Sequence, residues 1–355
     1  MSSADAVAIV LLIGATAYAV FGGADFGAGL WSLLAGRGDR GKRPRELIDW
    51  AIGPVWEANH VWLIFVLVVL WTGFSPAFEA IFSTLFVPLS LAALGIVLRG
   101  SGFAFHKTAR RSRGRAMSEK LFGVSSLLTP FFMGTVVGAI AGGRVPVGNA
   151  AGDAVTSWLN PLSLLIGALF VATGAYISAV FLVSDARRAG APALERYFST
   201  RALIAAIVTG ALAAAGLVLL HSDATFVFDG LTGDGLPLVI LSFLCGTAVL
   251  VLLRRGARRG ARPLAVGAVA AVIWGWGVAQ HPYLLPQKLT ISDAAAPSAT
   301  LTSVLIVFGI AVVLVLPSIA LLYSLVQRNL VEETSMPSPL PPEDERDTIA
   351  AQPAT

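Results

Sequence analysis

Long apolar runs, separated by short polar and basic stretches, set the pattern of the chain. Runs such as 61–71 and 301–316 pass without a charged position, and they do not alternate as barrel strands must. A helix that crosses the hydrocarbon core needs about 20 mostly apolar residues. Segments at 6–34, 50–73, 77–104, 121–142, 158–184, 200–220, 236–253, 263–280 and 300–326 meet that need, which predicts nine transmembrane helices. No Lys or Arg precedes the first run, and that run is too long for a cleavable signal.

The connections sort the charges. Arg37, Arg40, Lys42, Arg43 and Arg45 fill the first, and the second has no basic residue. Lys107, Arg110, Arg111, Arg113, Arg115 and Lys120 fill the third, whereas the fourth holds only Arg144. Arg187, Arg188, Arg196 and Arg201 mark the fifth, and the sixth is again empty. Arg254, Arg255, Arg258, Arg259 and Arg262 crowd the seventh, and Lys288 stands alone in the eighth. Basic residues favour the cytoplasmic side, so this alternation predicts an outside N-terminus and a cytoplasmic C-terminus. Trp31 and Trp50 fall near the inner interface, and Trp71, Trp158, Trp274 and Trp276 near the outer one, as aromatic belts do. Residues 1–327 form the transmembrane domain, and 328–355, rich in Pro, Ser and Glu, read as a disordered cytoplasmic tail. The loop pattern suggests a repeat of two four-helix units plus one peripheral helix.

Composition agrees. Of 355 residues, 56% are hydrophobic and 13% charged, with a formal net charge of +4. The charged share is about half of that in soluble domains, which excludes a soluble enzyme, a disordered protein and an ordinary nucleic-acid binder. A single cysteine, Cys245, excludes a disulfide framework, a cysteine-ligated zinc site and an iron–sulfur cluster. The chain reads as an all-α polytopic membrane protein.

An ionisable group inside a span costs at least ~2.5–3.5 kcal/mol on insertion scales, so each one is a functional candidate. Asp25 lies in the glycine-rich stretch 22–29, about 28 Å along the first helix and close to the cytoplasmic side. Glu57 and His60 lie about 10 and 15 Å into the second helix, and their i, i+3 spacing puts them on one face. That order suits a two-step proton relay; helix-packing roles are the plainer alternative for each. Arg99, near the inner end of the third helix, is placed by depth to pair with Asp25 or Glu57, or else it snorkels to the interface. Glu79 reads as an interfacial residue. His106 falls in a cytoplasmic loop, and His221 and His281 at the outer face, so a haem within the chain would need His60 with Met133, a weak reading. The stretch 281–299 reads as an ordered outer loop with a short interfacial helix.

These residues resemble subunit II of the cytochrome bd-type quinol oxidases, and the outer loop behind Ala279-Gln280 is closest to the cyanide-insensitive branch. The resemblance rests on 23–29, on Ile52-Gly-Pro-Val-Trp56-Glu57-Ala-Asn59-His60-Val-Trp62-Leu63, on 98–103, on 160–165 and on 294–301. It implies a pseudosymmetric nine-helix subunit in a bacterial cell membrane, paired with a subunit I that holds two haems b and one haem d. Such a complex oxidises quinol and reduces oxygen to water. Subunit II normally holds no haem, but some members hold a structural quinone. The resemblance also implies a cytoplasmic proton path through the acid at Glu57, with a second retained acid at Asp25. His60 stands where many members carry Glu or Gln, and Ala104 replaces an acid that some members have. Membrane lipid and a small accessory subunit are further expected partners. From another class, an ion-coupled secondary transporter using Asp25 and Glu57 would carry the same buried acids, although transporter sites usually lie at broken helices near the midplane. A scaffold with no proton role is the third reading.

Overall fold

The computed structural model describes residues 2–36, 39–52, 56–108, 112–257 and 259–327. The chain begins with α1 (Ser3–Ala17), passes through a π-helical turn (Tyr18–Gly22) and continues as α2 (Gly23–Leu34). Ser2 and Asp5 close its start as a capping box, each side chain accepting from the other's main-chain N–H. There follow α3 (Asp39–Ile52), α4 (Trp56–Gly73), α5 (Ser75–Thr84), α6 (Phe86–Thr108) and α7 (Ser112–Ala141). Then come α8 (Pro161–Arg188), α9 (Pro192–Asp223), α10 (Thr225–Thr232), α11 (Leu236–Arg254) and α12 (Ala261–Gln280). A hairpin of β1 (Tyr283–Leu285) and β2 (Leu289–Thr290) precedes α13 (Ser298–Gln327).

Among the described residues, seven helices are long and apolar enough to cross a membrane, and eight if one bent pair is a single span. The chain is thus a multi-pass membrane protein. The count differs from nine because of the second and third expected spans. The α4 axis turns by 118° into α5, and a second break at Leu85 separates α5 from α6. Pro88 follows that second break: it has no N–H to donate to the Thr84 carbonyl, so the run 77–104 lacks that helical bond where it breaks. Pro130 in α7 and Pro317 in α13 are tolerated within their helices.

Three expectations about loops are corrected. The basic stretch 35–49 is largely helical, as α3, whose Leu47 and Ile48 are buried against the bundle. The stretch 221–235 holds α10. Residues 281–299 form the hairpin instead of an interfacial helix, and hydrogen bonds tie it to the bundle: Gln280 Nε2 donates to Leu284 O at 2.7 Å, Ala296 N to Gly73 O at 2.9 Å and Lys288 Nζ to Gly143 O at 2.6 Å. The expected tail, 328–355, lies outside the described residues.

Two large apolar cores, and a smaller one around Leu162, Leu220 and Val227, hold the helices. One gathers Trp31, Ile48, Ile177, Val180, Val183, Phe198 and Val249 towards the basic end of the bundle. The other gathers Val7, Phe74, Ile81, Leu85, Val145, Leu285 and Leu301 at the opposite end. Trp31 is therefore a core residue and not part of an interfacial belt: it is buried, and its indole N–H donates to the Ala175 carbonyl at 2.8 Å. At the basic end Asp185 accepts from Arg262 at 2.6 Å and also from Arg188, which joins α8 to α12.

Helices α2 and α8 approach each other closely. A Cβ on Gly27 would lie 2.0 Å from the Gly174 carbonyl oxygen, main chain that cannot rotate away. Small residues allow such approaches between membrane helices. Gly27→Ala is expected to force α2 and α8 apart and to destabilise the protein by about 1–3 kcal/mol, read as a lower unfolding temperature in detergent.

Candidate functional site

The glycine-rich start of α2 places a carboxyl where four helices meet. Asp25 is 2% exposed, and Arg99 of α6, at 1%, is among the most enclosed side chains. Arg99 does not snorkel. Its Nη2 donates to the main-chain carbonyl of Asp25 at 3.0 Å, and its Nη1 donates to Ser126 Oγ of α7. The guanidinium carbon lies 4.3 Å from the Phe122 ring centroid and 5.0 Å from that of Phe26. A planar, weakly hydrated cation suits this enclosure between two ring faces. Gly29 makes the space: a Cβ there would meet Ser126 Oγ at 2.0 Å and Arg99 Nη1 at 2.9 Å.

A charge so placed is costly unless an opposite one answers it. Asp25 and Arg99 are near enough to act on each other electrostatically, although the arginine's hydrogen bond goes to the aspartate's main chain. The Asn59 side chain of α4, buried at 6% exposure, lies near the carboxyl from a third direction. His60, next along α4 and half-buried, sets its ring edge-on to Phe26 at 5.9 Å between centroids. One phenylalanine therefore touches both the histidine and the arginine.

Of the residues singled out in the sequence, the fold brings Asp25, Arg99 and His60 together. Glu57 lies in the first turn of α4, one turn before His60, and its side chain is outside the described residues, as is that of His106. His221, His281 and Glu79 are exposed. Met133 sits on α7, which packs chiefly on α6, α8 and α2, whereas α4 packs chiefly on α1, the π turn and α13. His60 and Met133 thus lie on helices without a principal interface. Among the described residues, no three His, Cys, Asp or Glu side chains gather as a metal site.

Comparison with known proteins decides the family. The family model for cytochrome bd terminal oxidase subunit II matches residues 4–326. The chain belongs to that family. It is 22% identical over 325 residues to a Bacillus subtilis (strain 168) protein named as a cytochrome bd menaquinol oxidase subunit II, covering 88% of this chain and 92% of that one. It is also 30% identical over 213 residues to subunit 2 of the cytochrome bd-I ubiquinol oxidase of Escherichia coli (strain K12), 56% of this chain and 52% of that one. A chain in the structure of bd oxidase from Geobacillus thermodenitrificans superposes with a TM-score of 0.74 at 28% identity, over 92% of this chain and 98% of that chain. This subunit II is accordingly part of a quinol oxidase complex.

Sequence reasoning missed Asn59, Ser126, Phe26 and Phe122, because the cost that flags a residue attaches to ionisable groups and these are neutral. Asn59 carried one signal, an amide inside an apolar span, between Glu57 and His60.

Removing one member of a buried charge pair strands the other, at about 3–5 kcal/mol. Arg99→Met should lower the unfolding temperature of the detergent-solubilised subunit accordingly. Adding Asp25→Asn should recover most of that loss, which a purely local packing defect at Arg99 would not allow.

Proposed function

We propose that this chain, with a haem-bearing subunit I, forms a bd-type terminal oxidase of a bacterial plasma membrane that oxidises quinol and reduces oxygen to water, and that it supplies part of the path by which cytoplasmic protons reach the reaction. The haems, two of b type and one of d type held by subunit I in this reading, carry the electrons. Water formation consumes one proton for each electron, so a route for protons must run through the apolar bundle. Here that route starts at Glu57, passes to His60 one turn deeper and reaches Asp25.

The observation that carries the reading is the enclosed Asp25 carboxyl beside Arg99, near the buried Asn59 on the helix that bears Glu57 and His60. A carboxyl between a fixed cation and a neutral amide can gain or lose a proton while its surroundings stay in place. The basic connections put the Glu57 end of α4 at the cytoplasmic face, where the protons enter. In this reading α4 and α6 each count as one crossing, which gives nine spans in two related four-helix units plus α13, with 328–355 as a cytoplasmic tail. The outer faces of the bundle then meet subunit I, lipid and, in some assemblies, a small accessory subunit or a structural quinone.

The test is Glu57→Gln in the assembled complex, with haem content as the control for assembly. Quinol-dependent oxygen uptake should fall to a small fraction of the wild-type rate while the reduced-minus-oxidised haem spectrum is unchanged. Full uptake in that variant would leave the chain a scaffold without a proton role.

A further inference from the structure

Helix α8 packs on α2, α7 and α9, whereas α2 and α9 share no principal interface of their own. A cleft of about 400 Å3 is left among these four helices, lined by apolar side chains. Small residues make its floor: Ala172, Ala175 and Ala205 are buried, beside the Trp31 indole that donates to the Ala175 carbonyl. Larger ones make its rim, where Leu127, Ile204 and Val208 are exposed. Along α9 it runs about 12 Å, from Ile204 to Leu212. A depression of this size takes a single hydrocarbon chain; a helix, about 10 Å across with its side chains, is too broad for it.

The end of the cleft nearer the basic side is marked by a cation. The α9 residues that line the cleft, 204, 205, 208 and 212, share one face of the helix, and Arg201 heads the same stripe. Its side chain leans back towards the start of α9, over the Tyr197 ring, with the guanidinium carbon 3.2 Å from the ring centroid. Arg201 Nη1 donates to the Tyr197 carbonyl at 3.2 Å, which fixes the group in place. Tyr197 is also near enough to Arg45 of α3 for the two to act on each other electrostatically. Other arginines at this end have acids: Arg187 pairs with Glu195, and Arg188 and Arg262 pair with Asp185. Among the described residues no carboxylate pairs with Arg201. A held guanidinium without an acid, at the head of an apolar cleft, suits a phosphate with a hydrocarbon chain below it.

We propose that this cleft binds one anionic phospholipid, with an acyl chain seated on the alanine floor and the phosphate on Arg201, in the added positive field of Arg45. The lipid bridges α2 and α9, which do not bridge themselves. A quinone tail would fit the same floor, but its uncharged head gives Arg201 no counter-charge. The inference does not depend on the proton path.

The experiment uses the assembled complex with subunit I, purified in mild detergent and washed free of loose lipid. Retained phospholipid is measured by mass spectrometry in wild type, Arg201→Gln, Ala205→Leu and a control, Arg196→Gln, which removes an exposed arginine from another face of α9. Ala205→Leu fills the floor. Wild type and Arg196→Gln should retain about one more anionic phospholipid per complex than the other two. Adding phosphatidylglycerol to the washed wild type should raise its unfolding temperature by a few degrees; phosphatidylcholine with the same chains should not, and Arg201→Gln should answer to neither. Equal retention in all four complexes, or an equal loss in Arg196→Gln, overturns the inference. So does a retained quinone in place of the phospholipid, or an equal response to the two lipids. Loss in Arg201→Gln with full retention in Ala205→Leu puts the chain outside the cleft and overturns it too. Should Ala205→Leu fail to assemble, Arg201→Gln, its control and the two lipids decide the matter.

Discussion

The enclosure of the Arg99 guanidinium constrains everything around it. A cation that neither reaches water nor snorkels must find every partner inside the bundle. It draws on α2 for a carbonyl, a nearby carboxyl and one ring face, and on α7 for a hydroxyl and a second ring face, and its Nε has no partner among the described residues. Those contacts fix the relative position of α2, α6 and α7. The glycines of α2 follow from the same constraint, since Gly29 would collide with the guanidinium and its serine partner if it carried a side chain. The neighbouring contact of Gly27 with Gly174 then seats α8 against the other side of the same helix. A charge that costs energy to bury thus also specifies the packing of the helices that bury it.

The chemistry follows from the same geometry. An arginine that bonds the aspartate's main chain leaves one carboxyl oxygen unengaged by the protein. Had the pair closed as a two-pronged ion pair, the carboxylate would be locked in its ionised form. With Arg99 on its main chain and Asn59 nearby, the group has a stable place and a free edge. That is the arrangement expected of a group that exchanges protons, and α4 brings His60 beside it.

Much of the outline was legible in the sequence, and the reasons are physical. Continuous apolar runs marked most spans to within a few residues, as at 236–253 against Leu236–Arg254 and 300–326 against Ser298–Gln327. The third span was misread as unbroken because Pro88 sits in an apolar run, and hydropathy is blind to a missing N–H. The basic first connection hid a helix because its apolar residues, Leu47 and Ile48, are few and its charges dominate any average. Trp31 was placed at an interface by its position along the helix, whereas a carbonyl of α8 takes its N–H. At the site, the ionisable residues were visible one by one from their cost. Depth along the helices offered Asp25 as one partner of Arg99, whereas the hydroxyl of Ser126, 27 positions beyond Arg99, was not visible.

The account stands on the claim that the Asp25 carboxyl changes its protonation or hydrogen bonding as the oxidase works. Redox-induced infrared difference spectroscopy of the assembled complex tests it most directly, with wild type compared against Asp25→Asn at equal haem content. A carboxyl band in the wild-type spectrum that is missing from the variant is the expected result. Identical carboxyl regions in the two spectra would contradict the account and leave Asp25 a structural partner of Arg99 alone.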